Sequence, residues 1–204
     1  MSTIVETETY KGHEIEVKYD ESPESPREWD NICIIHTAHR DYSFGDKNYN
    51  DSESIHAAEC EAKRNGDIVF PLYMYDHSGV TISLLPFSCR WDSGQVGFVQ
   101  VPKKKMLEEF DKKIFTKQLK EKGRYLAQCE TKTLDTYIRG NIVGFIVDDA
   151  IDSCWGFYSV EDAIEEAKNS IDWMIKDAKE KHCKQLKTWI KNKVPFYVRK
   201  SLSI

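Results

Sequence analysis

The sequence predicts an α+β fold, a mixed and largely antiparallel sheet backed by amphipathic helices and closed by a long C-terminal helix. Three observations carry this. Short alternating or β-branched apolar runs fill the first hundred positions, with most contacts expected close in sequence, as in antiparallel or mixed sheets. From Met106 through Leu107, Phe110 and Ile114 to Leu119, apolar residues recur at helical steps among lysines and glutamates. The same spacing returns over Ile164, Ala167, Ile171, Ile175, Ala178, His182, Leu186 and Trp189, and Pro195 stops it.

The elements follow in order. "HEIEVKYD" sets Ile15, Val17 and Tyr19 between charged residues and reads as a half-buried strand. "SPESPRE" is a turn-rich break, and "NICIIHTA" a second, more buried strand. After a polar loop, "ESIHAAECEAKRNG" reads as a short helix capped by Ser52 or Ser54 and ended by Gly66. "DIVFPLYMYD", "VTISLLPF" and "GQVGFVQV" are three further strands, the last ended by Pro102. "TLDTYIRG" is a second helical piece, and "NIVGFIVD" with "CWGFYS" forms a hairpin. Ser159 and Asp162 then open the last helix in the manner of a capping box. No stretch stands out as a linker, so residues 1–204 are expected to form a single domain, with 176–204 as a basic helical extension.

Composition bounds the function. A chain of 204 residues with 40% apolar content buries a core without staples. No apolar run reaches the roughly 20 residues that span a bilayer, and the acidic N-terminus lacks the features of a signal peptide. A cytoplasmic location with no membrane partner is expected. The six cysteines show no CxxC spacing, which argues for reduced thiols rather than a disulfide framework. Net charge is −5, unevenly placed: residues 1–102 hold 8 basic and 18 acidic residues, whereas Lys176 onward holds 9 basic and 2 acidic. The basic end reads as a solvated helix face with cations near its C-terminus. The acidic half argues against nucleic acid as a partner.

Chemistry concentrates outside the helices, in "SPREWDN", "HRDYSFGD", "LYMYDHSG", "CRWDSGQVGF" and "DSCWGFYS". These place Arg27, Trp29, Asp30, His39, Arg40, Asp46, Asp76, His77, Arg90, Trp91, Asp92, Gln95, Asp152 and Trp155 at strand ends and in loops. Planar cations, flat rings and carboxylate acceptors are the parts that hold a nucleotide-like ligand. The His and Asp members are also acid–base candidates. Their spacings match neither an EF-hand nor an HExxH helix, so no metal ligands are assigned. "GQVGF" lacks the dinucleotide and P-loop patterns, and the cofactor stays unknown. The two Trp/Asp/Ser/Gly segments, Pro86–Phe98 and Asp152–Ser159, are expected to end strands of one sheet and to share one concave face.

Six motifs carry a resemblance: "REWDN" (Arg27–Asn31), "HRDYSFGD" (His39–Asp46), "LYMYDHSG" (Leu72–Gly79), "PFSCRWDSGQVGF" (Pro86–Phe98), "DTYIRG" (Asp135–Gly140) and "DSCWGF" (Asp152–Phe157). Together they resemble an uncharacterised family of bacteriophage, plasmid and other mobile-element proteins, over residues of about 14 to 175. The resemblance implies an accessory protein that counteracts host defence by binding a nucleotide signal or a host protein. The alternative is a hydrolase of a nucleotide or phosphate ester using His/Asp chemistry. Homo-oligomerisation is left open by the sequence.

Overall fold

Strand pairing in the computed structural model, which describes residues 3–195 and 198, builds two sheets. The strands are β1 (Ile4–Tyr10), β2 (His13–Tyr19), β3 (Ile34–Thr37), β4 (Lys47–Asn48), β5 (Ile68–Asp76), β6 (Val80–Ser83), β7 (Ser93–Val101), β8 (Val143–Val147) and β9 (Asp152–Phe157). The helices are α1 (Ser52–Arg64), α2 (Lys103–Glu109), α3 (Lys117–Ile138) and α4 (Val160–Lys193), with a 3-10 turn at Pro26–Glu28. The fold class is α+β with a long final helix, as the periodicities require. Among the described residues no helix is long and apolar enough to cross a membrane.

The chain divides into two compact units. The terminal unit holds Met1–Tyr19 and Val143–Ile204, and the central unit holds Asp20–Ile142. Both crossings run straight out of or into a strand, and the turn-rich break at Ser22–Glu28 follows the first of them.

In the terminal unit the sheet order is β1-β2-β8-β9, antiparallel throughout. Lys11 and Gly12 turn the first hairpin with φ of 52° and 89°, the left-handed pair that matches strand twist. Ile15, Val17, Val143, Phe145 and Val147 form one apolar face, against which α4 lays Ala163, Ala167 and Ile171. The alanines let the helix approach closely. Its first turn is capped by Ser159, whose hydroxyl accepts from the Asp162 N–H at 3.1 Å. Lys168–Glu8 (2.7 Å) and Lys11–Asp172 (2.6 Å) tie the helix to the first hairpin.

In the central unit the order is β4-β3-β7-β5-β6. Ile35, Leu72, Met74, Ile82, Val99 and Val101 pack with Met106, Leu119, Ala127 and Leu134 of α2 and α3. Gly123 permits this approach, since a Cβ there would stand 3.1 Å from Ile68 and 3.2 Å from Val101. Asp135 of α3 accepts from the Ile82 N–H (2.8 Å) and the Thr81 hydroxyl (2.6 Å), occupying backbone that an edge strand otherwise exposes.

Four expectations change. Strand β1 is added, because its "IVETETY" pattern is almost wholly exposed and gives little apolar contrast. Asp51, not Ser52 or Ser54, caps α1, its carboxylate accepting from the Ser54 N–H at 2.7 Å. The run from Met106 to Leu119 is broken: α2 ends at Glu109, Asp111 takes φ 47°, and Ile114 is 73% exposed. Helix α3 then starts at Lys117 and absorbs "TLDTYI". Finally, the α4 seam outruns its sheet, leaving Leu186 and Trp189 exposed.

Candidate functional site

The candidates fall into four groups, and the local chemistry of each decides what it does. Arg27 sits beside the start of β3 with its side chain 9% exposed. Its guanidinium donates to both Asp46 oxygens (3.0 and 2.7 Å), to Glu130 (3.0 Å) and to the Cys33 carbonyl (2.7 Å). The same carboxylates accept backbone donors: Asp46 from Ile35 (2.6 Å), and Glu130 from Ile32 (3.0 Å) and Cys33 (3.1 Å). Burial would lower the Arg27 pKa, but hydrogen bonding and charge from Asp46, then Glu130, hold it above its ordinary value. Burial, then Glu130, pushes the Cys33 thiol well up. Arg27 and Asp46 thus anchor a strand, with their hydrogen-bonding capacity turned inward. Glu130, their third partner, sits in a helix and gave no sequence signal.

The second group is where a ligand can enter. A cleft of about 620 Å³ lies in the central unit, bounded by three elements. The end of β3 and the loop after it supply Ala38, His39 and Arg40. β7 contributes Gln95 to Phe98, and α1 with its cap contributes Asp51, Ser52, Ile55, His56 and Glu59. This size is in the usual range for small-molecule sites. Antiparallel pairing brings the sides together, the Ala38 N–H bonding the Val96 carbonyl at 2.8 Å. Gly97 keeps the floor bare, because a Cβ there would collide with the His36 carbonyl. The Arg40 guanidinium is 91% exposed and pairs with its neighbour Asp41 at 3.2 Å. The Gln95 amide N–H donates to the Gly97 carbonyl at 3.1 Å, which leaves its oxygen as an acceptor. On the opposite wall, His56 Nδ1 lies 4.0 Å from Glu59 and its Nε2 3.6 Å from the Cys60 thiol. His56 and Glu59 were missed, although their i,i+3 spacing on a helix could have revealed the pair.

The third group rims the same end of the sheet. His39 and Tyr42 rings lie 5.0 Å apart, and the Tyr42 hydroxyl donates to Asp76 at 2.9 Å. The Asp76 N–H bonds the Asp92 carbonyl at 2.8 Å. The Asp92 carboxylate takes the Cys89 thiol at 3.6 Å and stands 3.4 Å from His77 Nδ1. Arg90 lines a separate shallow recess with Tyr73 and Phe87, and Trp91 is 95% exposed. At the other end of the sheet, where β3 starts and β7 finishes, Trp29 is half exposed beside Asp30, which pairs with Lys105 at 2.9 Å.

The fourth group, Asp152 and Trp155, belongs to β9 in the terminal unit. This corrects the expectation of one shared sheet: Trp91 precedes β7 in the central sheet, whereas Trp155 is in the other. Strand periodicity predicts strands but not their partners. Asp152 ties β9 to α4, accepting from the Ser170 hydroxyl as well as from the Ser153 N–H. The Trp155 indole lies over Gly144, where any Cβ would strike the ring, so this tryptophan covers a glycine on the neighbouring strand.

Beneath the cleft runs a buried polar chain that the sequence did not suggest. His36, 2% exposed, stacks on Phe98 at 4.1 Å. The Gln100 amide N–H donates to Asp67 at 2.6 Å, so its oxygen faces His36 Nε2 at 2.8 Å and accepts from it. That assigns the proton to Nε2, and Nδ1 accepts from the Tyr49 hydroxyl at 3.0 Å. Burial lowers the His36 pKa below the usual 6.5, against the raising effect of Gln100 and with a smaller lowering from Lys47. Below that pH the unfolded chain takes up a proton the folded chain resists. Stability from this group is therefore full above pH 6.5 and is lost as pH falls through the depressed folded value. Urea titrations at pH 7.5 and 5 are expected to show a larger loss of midpoint for the native chain than for His36→Gln. Equal losses in both would refute the assignment.

Among the described residues no group of three or more His, Cys, Asp or Glu is placed to hold a metal ion. Comparison with family models, curated proteins and solved structures gives no match for this chain.

Proposed function

We propose that this protein is an accessory protein of a phage or other mobile element that counteracts host defence by holding a nucleotide signal in the central cleft. One observation carries the reading: the cleft gathers His39, Arg40 and Gln95, three residues expected from sequence to bind ligand, from two elements onto one opening. Arg40 offers a planar cation for phosphate, His39 a flat ring, and Gln95 a hydrogen-bonding edge for a base. The motif resemblance supplies the mobile-element setting.

A second reading, hydrolysis of a nucleotide or phosphate ester, is favoured by the His56–Glu59 pair on the opposite wall, an imidazole beside a carboxylate. One experiment separates the two. Purified protein is mixed with a panel of cyclic and linear nucleotides, freed of unbound ligand and denatured, and the released compound is identified by mass. Sequestration predicts an intact nucleotide, retained at least tenfold more weakly by Arg40→Ala. A converted product establishes the hydrolase instead. No nucleotide retained and none converted would remove both.

A further inference from the structure

The second half of α4 extends past the residues with which the helix covers its sheet. The helix covers its sheet with Ala163, Ala167 and Ile171, and every residue from Ala178 to Trp189 is exposed. Residues 176–193 therefore form an overhang about 27 Å long at 1.5 Å per residue. The apolar seam does not stop where the sheet does. Trp189 lies eighteen residues from Ile171 and Leu186 eleven from Ile175, about five and three turns, so both continue the buried face. They are 58% and 45% exposed. The overhang carries seven lysines against Asp177 and Glu180. Lys179 and Lys193 stand one turn from Ile175 and Trp189, on that same face. Lys184, Lys187 and Lys191 form a stripe on the opposite side.

We propose that this face receives an acidic amphipathic helix of a partner protein, apolar residues on Leu186 and Trp189 and carboxylates toward Lys179 and Lys193. Three other occupants fit less well. A nucleic acid would use the opposite stripe, where three lysines cluster, and leave Leu186 and Trp189 in water. A planar bilayer meets an obstacle, because the helix's own sheet lies on the seam side, about 10 Å from the helix axis. A second copy of the overhang brings the same positive surplus. A partner helix, itself about 10–12 Å across, fits the step that remains, and helix-in-groove recognition uses apolar and charged contacts together.

The test uses the full chain and a synthetic 18-residue peptide with leucine at helical a/d spacing and glutamate on its flanks. Its scramble has equal charge and no seam. The ordered peptide is expected to bind saturably, and at least tenfold more tightly than the scramble. The Leu186→Ala/Trp189→Ala and Lys179→Glu/Lys193→Glu variants should each lose at least tenfold, with unchanged circular dichroism. Lys184→Glu/Lys187→Glu should change binding less than threefold. Equal binding of ordered and scrambled peptide overturns the proposal, as does absence of saturable binding. So does a dominant effect of Lys184→Glu/Lys187→Glu, or self-association of the chain through this face. Vesicles of one-third phosphatidylserine, or duplex DNA, binding more tightly than the peptide and in a Trp189-dependent way would also overturn it.

Discussion

Arg27→Ala is expected to destabilise the central unit by about 3–5 kcal/mol, read as a lower urea midpoint with an unchanged slope. The guanidinium lies between Asp46 and Glu130, whose side chains are 25% and 14% exposed. Removing it leaves two carboxylates close together and poorly hydrated, without the cation that neutralises them. Both also hold backbone N–H groups at the entry to β3, so the strand loosens with the pair. The loss is larger than for a surface ion pair, where solvent screening leaves about 0–1 kcal/mol. Adding Glu130→Gln to Arg27→Ala should recover part of it, since one uncompensated charge disappears while an acceptor for Ile32 and Cys33 remains. The competing role, contact with ligand, makes the opposite prediction. If Arg27→Ala changes stability by less than about 1 kcal/mol and abolishes nucleotide retention, the structural reading fails.

Ile171→Ala is expected to cost about 2–5 kcal/mol, because Ile171 is fully buried between α4 and the terminal sheet and its removal leaves a cavity. Trp91→Ala supplies the contrast. At 95% exposure its indole contributes little to the core, and the stability change should stay within about 0.5 kcal/mol. Thermal melts of the two variants read the difference directly. A large fall in Tm for Trp91→Ala would show that the ring packs against something. If the tryptophan serves recognition, the same variant loses function in a cell-based assay while remaining folded.

Much of the local fold was legible. The presence of α1, the β8–β9 hairpin, the Ser159 cap and the stop after α4 all follow from neighbours a few residues apart. Periods of 2 and 3.6, capping side chains and prolines are local signals, and they act whatever the rest of the chain does. The site was legible in part. His39, Arg40 and Gln95 were visible because strand ends rich in polar and aromatic residues are unusual. His56 and Glu59 were hidden inside an ordinary amphipathic helix pattern, and Glu130 among the charges of another.

By itself, then, the sequence determined the kind of most elements, though neither β1 nor the break between α2 and α3, together with the charge segregation along α4 and the crowding of polar-aromatic residues at strand ends. Tertiary structure decided the partners. It paired β2 with β8 across the whole central unit, which placed Trp91 and Trp155 in different sheets. It turned Arg27 inward onto Asp46 and Glu130, while Arg40, a similar residue in a similar motif, was left in solvent. The physical reason is the same in each case. Strand pairing and ion pairing depend on distances between residues far apart in the chain, and no local period or propensity records them.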